Sequence, residues 1–446
     1  MDPADIGVQC NLGSDWFTSL RQGVSYDAAQ STVSFKGKQS SFSANGKIFL
    51  QGDKALISEP GEWALESATG MLYLWPRYEA AMVAGKADVV ALTTTRVFDF
   101  KGRSWDPADL ATAIDVDGIV VSGSDFDAEF VLFRRGNDTP LAMREGMIRF
   151  ENTTDCTFKN SALLDAGHSA FWFQGHAQRI SVEGNRIERP GFCGAYLQGI
   201  YPGDTWAGGD GDGTEGTLDG TPAWGPIKSA DEAYVNFGHS FSNNAVYDYG
   251  KRVGHGSGLW FFQAGNTTVA HNEIVEGPRD AFGVYGQRFG CFGPDGAGSV
   301  KCGADCNSPG VVKKIYGQPC DFWCGLRALT TRWIDISYNK VANVVRDTSD
   351  AGALEYWGVG AFNSAHHNCF SDLDPGLLEG GWLNFLFQDD AAHYLNHSSN
   401  ILMEVKAAGS QETGMMKSIG SGRFAWLAGC PPPLSLPPSP APQSHH

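Results

Sequence analysis

The feature that most limits what this chain can fold into is a recurring phrase. An apolar strand is followed by Asn-x-apolar, a polar turn, and Gly or Ala leading a second apolar run. Its asparagines are Asn160, Asn185, Asn244, Asn272, Asn339 and Asn368, spaced by 25, 59, 28, 67 and 29 residues. Two stretches interrupt the series, a Gly/Asp-rich one at 204–230 and a Cys-rich one at 288–327. Taking them out as loop insertions shortens the long gaps to 32 and 27 residues. A steady period of this size marks a solenoid, whose units bury their apolar faces only against their neighbours. Short strands, Gly-rich turns and the lack of a long amphipathic pattern select stacked β-coils over helical repeats. Such coils pair as parallel strands about 4.7–4.9 Å apart. The Asn is expected to serve twice: it tolerates a left-handed corner, and its amide bonds equivalent amides along the stack.

Composition narrows the class further. Glycine is 56 of 446 residues without a three-residue period, which excludes collagen, and 42% apolar residues suffice for a large core. No stretch approaches 18 uninterrupted apolar residues, so no membrane-spanning helix is expected. A net charge of −17 argues against a nucleic-acid partner and against adsorption to anionic lipid. A neutral substrate, or an anionic one held by a local basic cluster or a cation, stays open, and the chain is expected to be a monomer.

Three regions follow. Residues 1–94 read as a β-rich N-terminal segment with a hairpin at 61–76, where two apolar runs flank a polar stretch ending in Gly70 and Pro76 closes the second strand. Residues 95–405 form the solenoid. Residues 406–446 are a tail, Pro-rich and expected to be disordered after 430.

These phrases resemble the right-handed parallel β-helix proteins of the pectate-lyase-like superfamily, in particular its large secreted carbohydrate-active group. The similarity runs from about residue 48 to 405. It rests on Gly61–Pro76, on Asn272-Glu273-Ile274, on Asp350-Ala351-Gly352-Ala353-Leu354-Glu355-Tyr356-Trp357-Gly358, on Gly380-Gly381-Trp382 and on Gln388-Asp389-Asp390. The resemblance implies an all-β right-handed parallel β-helix and a polysaccharide-active protein, located outside the cell or at the cell wall. No basic stretch followed by an apolar one opens the chain, and relatives of this kind carry more sequence before the hairpin, so a truncated N-terminus is the expectation. Two signatures of the superfamily are missing. Gly254-His255-Gly256 precedes Asp389-Asp390 rather than following it, and no strand carries a calcium-binding Asp triple.

Stacking arithmetic proposes the site. The residues just before the second strand of each unit should lie over one another, which groups His255, Arg279 with Asp280, and Asp350 on successive coils. Carboxylates one or two coils apart fall near the ~5–5.5 Å of a retaining or the ~6.5–9.5 Å of an inverting glycosidase pair. Glu355 occupies a column otherwise aligned as Trp172, Leu197, Trp260, Gly283 and Phe385, so it stands either in a groove or as a buried charge. The candidate acids are therefore Asp350, Glu355, Asp280, Asp389 and Asp390. Candidate substrate contacts are His255, Arg279, Lys251 and Arg252, with Trp260 and Trp357 among outward aromatics on which sugar rings can pack. The expected function is a glycoside hydrolase. The alternatives are a uronic-acid lyase or epimerase, and a non-catalytic or degenerate carbohydrate-binding β-helix. No cofactor is expected, calcium entering only for a lyase.

Five of the ten cysteines, Cys291, Cys302, Cys306, Cys320 and Cys324, lie in one insertion without histidine. In a secreted protein this pattern reads as disulfide-stapled rather than zinc-binding. Five being odd, one must pair elsewhere, and Cys193 is a candidate, while Cys156 and Cys369 read as small core residues.

Overall fold

The structure is a computed structural model. It describes residues 5–12, 17–27, 29–35, 47–86, 89–126, 130–131, 145–199, 230–286, 314–315, 318–319, 321–348, 351–373, 382–389, 392, 394–403 and 412–418. Three sheets of parallel strands run the length of the repeat region and make a parallel β-helix. The broad wall has 11 strands, among them Gly146–Thr154, Ser169–Gln178, Ala195–Gln198, Leu259–Phe262, Phe282–Tyr285, Ala351–Trp357 and Trp382–Gln388. Each of two narrow walls has 8 strands, and most of these are only three residues long.

A three-residue strand has one inward position, and the sequence fills it with an apolar side chain coil after coil. Phe158, Val182, Phe241, Val269 and Ile336 do so on one narrow wall; Leu163, Ile187, Val246, Ile274, Val341 and Phe370 do so on the other. Phe171, Phe173, Leu197, Phe261, Val284, Leu354 and Tyr356 close the core from the broad wall. Each coil is thus a triangle of short strands around one continuous apolar column, the arrangement that a repeat too small to fold alone requires.

The asparagine ladder is present, displaced by one residue at its start and extended by one rung at its end. Asn185, Asn244, Asn272, Asn339, Asn368 and Asn400 hand Nδ2–H to the next Oδ1 at 2.9–3.0 Å. Each Oδ1 also accepts the backbone N–H of the preceding rung, as Asn272 Oδ1 does from Asn244 at 2.9 Å. Asn160 lies outside the ladder: it is exposed and bonds Asp117, while Ser161 takes the rung position and gives its N–H to Asn185 Oδ1 at 3.0 Å. The left-handed corner belongs to the residue before each rung, Gly184, Asn243, His271, Tyr338, His367 and Ser399. The two roles expected of a single Asn are therefore divided between neighbours. The ladder Asn is fully bonded inside the corner, and its predecessor absorbs the positive φ.

The N-terminal segment contributes the antiparallel hairpin Trp63–Glu66/Met71–Leu74 and three strands, Phe17–Arg21, Gly7–Leu12 and Lys47–Gln51, of a separate antiparallel sheet whose edge strand, Phe130–Val131, comes from beyond residue 94 and pairs with Phe17–Arg21. This sheet covers the outer face of the broad wall. Leu20 shares an apolar cluster with Trp172, Tyr196, Trp260, Phe262 and Tyr285, and Lys47 pairs with Asp347 at 3.0 Å.

Candidate functional site

Alternation along the broad wall sends every second side chain outward. One outward column runs Arg149, Trp172, Tyr196, Trp260, Gly283, Glu355, Phe387 in hydrogen-bonded register. The column aligned from sequence differs at two rungs: Tyr196 and Phe387 occupy it, and Leu197 and Phe385 face the core. At Leu197 the shift is one residue, in an apolar run where either phase looks equally hydrophobic; at Phe385 it is two residues along the strand. The next outward column carries Glu151, Gln174, Gln198, Phe262, Tyr285 and Trp357.

These outward aromatics do not form an open platform. Trp172, Trp260, Phe262 and Tyr285 are buried beneath Leu20, Phe126, Phe192 and Val253, and Trp357 is half-buried against the same cluster. The expected exposed cleft of His255, Arg279 and Asp280 is likewise closed, with these residues 0–2% exposed and Glu355 at 0%. The N-terminal sheet and the loops between coils lie where solvent was expected.

Within this covered zone, Arg279 organises a charge cluster. Its Nη2 donates to Glu355 Oε2 at 3.0 Å, its Nε lies 3.3 Å from Asp280 Oδ2, and its Nη1 donates to Thr348 Oγ1 at 3.1 Å. Asp280 Oδ2 also accepts from the Tyr285 hydroxyl and, at 3.2 Å, from Ser257 Oγ. Its other oxygen, Oδ1, is buried with no hydrogen-bond partner. Two carboxylates from adjacent coils thus share one guanidinium.

Local sequence explains how the cluster assembles. Gly283 is the rung between Trp260 and Glu355. A Cβ there would lie 2.5 Å from the Tyr285 ring, 3.1 Å from Asp280 Oδ2 and 3.1 Å from Ser257 Oγ. The missing side chain is the space into which the Asp280 carboxylate folds. Beneath it, the Tyr249 hydroxyl lies 2.9 Å from the carbonyl oxygens of both Arg279 and Asp280 and donates to that pair. Burial pulls the Arg279 guanidinium towards its neutral form, but Tyr285, Asp280 and Glu355 outweigh it and hold the group well above its ordinary value. Burial pushes the Tyr249 hydroxyl well up, so it remains a donor.

Of the residues singled out in the sequence, Glu355, Asp280, Arg279 and Trp260 converge here. His255 is buried on the adjoining coil at a left-handed corner, φ 69°. Asp389 is half-buried, its N–H on the Tyr356 carbonyl at 2.9 Å. Asp350 and Asp390 lie outside the described residues. Lys251 pairs with Asp248 at 2.5 Å, and Arg252 faces Asp125 at 3.8 Å and the Phe126 ring, both on the surface and on other partners than the cluster. Ser257, Tyr285, Tyr249 and Thr348 join the site without having been singled out in the sequence. Tyr285 stands in an aligned strand, but its hydroxyl role depends on the gap at Gly283.

Cys324 is disulfide-bonded, and Cys291, Cys302, Cys306 and Cys320 lie outside the described residues. Cys193 is a free thiol in the apolar cluster beside Ser257, which removes it as their partner. Cys156 is buried and Cys369 half-buried, both free.

No family model matches this sequence, and no curated protein does. In fold, the chain is similar to a solved structure of a protein named glycoside hydrolase, with a TM-score of 0.58 and 12% identity over 93% of this chain and 68% of that one. At this identity the likeness is one of architecture.

Proposed function

We propose that this protein is a carbohydrate-active β-helix enzyme of the pectate-lyase-like type, a glycoside hydrolase whose carboxylate pair is Asp280 and Glu355. The observation that carries this reading is the Arg279 guanidinium holding two buried carboxylates on adjacent coils, one of them with an unpartnered oxygen. A buried polar atom without a partner is destabilising by roughly 1–3 kcal/mol. Placed beside Trp260 and Tyr285, such an atom is suited to a hydroxyl or a water that arrives with substrate. In this mechanism one carboxylate protonates the leaving oxygen and the other activates water or attacks the anomeric carbon. Hydrolysis is preferred to elimination because Lys251 and Arg252, the bases a lyase would use, stand apart from the cluster on Asp248 and Asp125. The substrate class is a plant or algal polysaccharide, and the setting is extracellular, with disulfides in the Cys-rich insertion.

One observation favours a second reading. Asp280 and Glu355 are 0% exposed, which suits a non-catalytic relative in which the triad only fastens the cover to the wall. Reducing-end release from a panel of polysaccharides decides between them. Wild-type activity lost by two to four orders of magnitude in Asp280→Asn or Glu355→Gln supports the enzyme. An ultraviolet-absorbing unsaturated product would make it a lyase. Retention on immobilised glycan with no new reducing ends would make it a binding protein.

A further inference from the structure

The corner between the two narrow walls carries a second convergence of titratable side chains. His271, Tyr338 and His367 occupy the left-handed position on three successive coils, with φ of 60°, 57° and 57°. Their rings stack, His271 on Tyr338 at 5.1 Å and 11°, Tyr338 on His367 at 5.0 Å and 18°. The positive φ at His367 breaks strand alternation, so consecutive histidines turn their rings to the same side. The His366 and His367 ring planes are perpendicular, and their Nδ1 atoms are 2.9 Å apart. On its other edge, His366 Nε2 lies 3.0 Å from Asp335 Oδ1, which also accepts from Ser364 Oγ at 2.6 Å. A carboxylate fixed in this way selects the Nε2–H tautomer and leaves the His366 Nδ1 lone pair aimed at its neighbour.

We propose that His366 and His367 chelate a divalent late transition metal, Cu(II) or Ni(II), through their two Nδ1 atoms, with Asp335 as the positioning residue. Two metal–imidazole bonds of about 2.0–2.1 Å at a right angle separate their nitrogens by about 2.9 Å, whereas a tetrahedral angle needs about 3.3 Å. The 2.9 Å spacing therefore suits the tetragonal preference of copper and nickel over zinc. No group of three or more His, Cys, Asp or Glu ligands converges among the described residues, so this is a two-point chelate completed by water. His367 is exposed and His366 half-buried, which leaves the open positions to solvent. Stacking on Tyr338 holds the His367 ring ready, and the acidic chain attracts cations to its surface.

The test is calorimetric titration of the full chain with copper(II) sulfate at pH 7.5. Eleven histidines are present, with His445 and His446 adjacent at the C-terminus, so the variants identify the site. One saturable class should be present in the wild type and absent from both His366→Ala and His367→Ala. Asp335→Asn should weaken it by about 10–100-fold. Copper should raise the melting temperature of the wild type and leave that of His367→Gln, an exposed substitution, unchanged. If the wild type shows no saturable class, or either alanine variant titrates like it, the two nitrogens share a hydrogen bond only and the proposal falls.

Discussion

Glu355 and Gly283 face each other on adjacent coils of the broad wall, and the empty position at 283 is what lets Asp280 reach the guanidinium that Glu355 holds. The charge cluster and the glycine are one device. A side chain at 283 would occupy the volume now shared by Asp280, Tyr285 and Ser257.

Gly283→Ala is accordingly expected to destabilise the protein by about 1–3 kcal/mol, the usual range for overpacking. The added methyl lies 2.5 Å from a ring atom of Tyr285, so the Tyr285–Asp280 contact should be lost with it. Urea denaturation gives the first quantity. An unchanged midpoint would mean that the wall yields without strain.

Arg279→Met should be far more damaging than its loss of hydrogen bonds suggests. It leaves Asp280 and Glu355 buried with no counter-charge, a change worth about 3–5 kcal/mol. Adding Asp280→Asn and Glu355→Gln to the same chain should recover part of that loss, because the uncompensated charges go with them. Comparing the single and triple variants by denaturant midpoint separates charge from packing.

The ladder makes a sharper contrast between two asparagines. Asn272→Ala removes the acceptor for both donors of Asn244 and the donor to Asn339. A loss of about 3 kcal/mol is expected for orphaned buried donors. Asn160→Gly removes one exposed contact to Asp117 while accepting the φ of 50° at that corner, and should change stability by less than about 1 kcal/mol. Equal effects of the two would show that the amide ladder adds nothing.

Acid sensitivity has a defined window. Burial lowers His168 and His239 to about 3 and His176 to about 4, from an ordinary 6.5. Each is neutral in the folded chain, while the unfolded chain takes up a proton near pH 6.5. Their contribution is complete above that pH and is lost as pH falls from about 6.5 towards the folded values. Each group lowers stability by about 1.4 kcal/mol per pH unit in that interval. Urea midpoints at pH 7.5, 6 and 5 should drop steeply for the wild type and less steeply for His168→Gln. A flat profile would exclude the buried neutral histidines as the cause.

The solenoid was legible because its signal is repeated: six short phrases with one spacing outvote any local ambiguity, and the apolar position of each three-residue strand is unmistakable. The displacement at Asn160 shows where that ends. Two polar neighbours at a corner do not reveal which one turns and which one bonds, since Asn serves both uses. At Asn160 and Ser161 the choice is made only by the backbone, which gives the positive φ to Asn160 and the rung to Ser161.

The site was legible in part. Aligning strand starts brought Arg279, Asp280 and Glu355 together, because parallel coils convert sequence period into spatial proximity. The burial of Arg279 and Asp280 was not legible, and that of Glu355 was only one of two readings. It depends on a sheet formed by Gly7–Leu12, Phe17–Arg21, Lys47–Gln51 and Phe130–Val131, and no repeat relates those segments to the wall they cover. The Tyr249 hydroxyl escaped notice for a similar reason. Its ring belongs to the core, and only its tip reaches the carbonyls beneath the cluster.

The amide ladder has one more consequence, for how such a chain can change. Asn185 bonds Asn244 across 59 residues, and Asn272 bonds Asn339 across 67, with the same 3.0 and 2.9 Å geometry that joins Asn339 to Asn368 across 29. The pitch of the coil is therefore indifferent to the length of what is spliced between rungs. The step from one rung to the next is the same whether 29 or 67 residues of sequence separate them. The ladder works as a ruler that keeps the scaffold's measure fixed, so the intervening segments are free to be lengthened, exchanged or lost, and with them whatever the wall is able to meet.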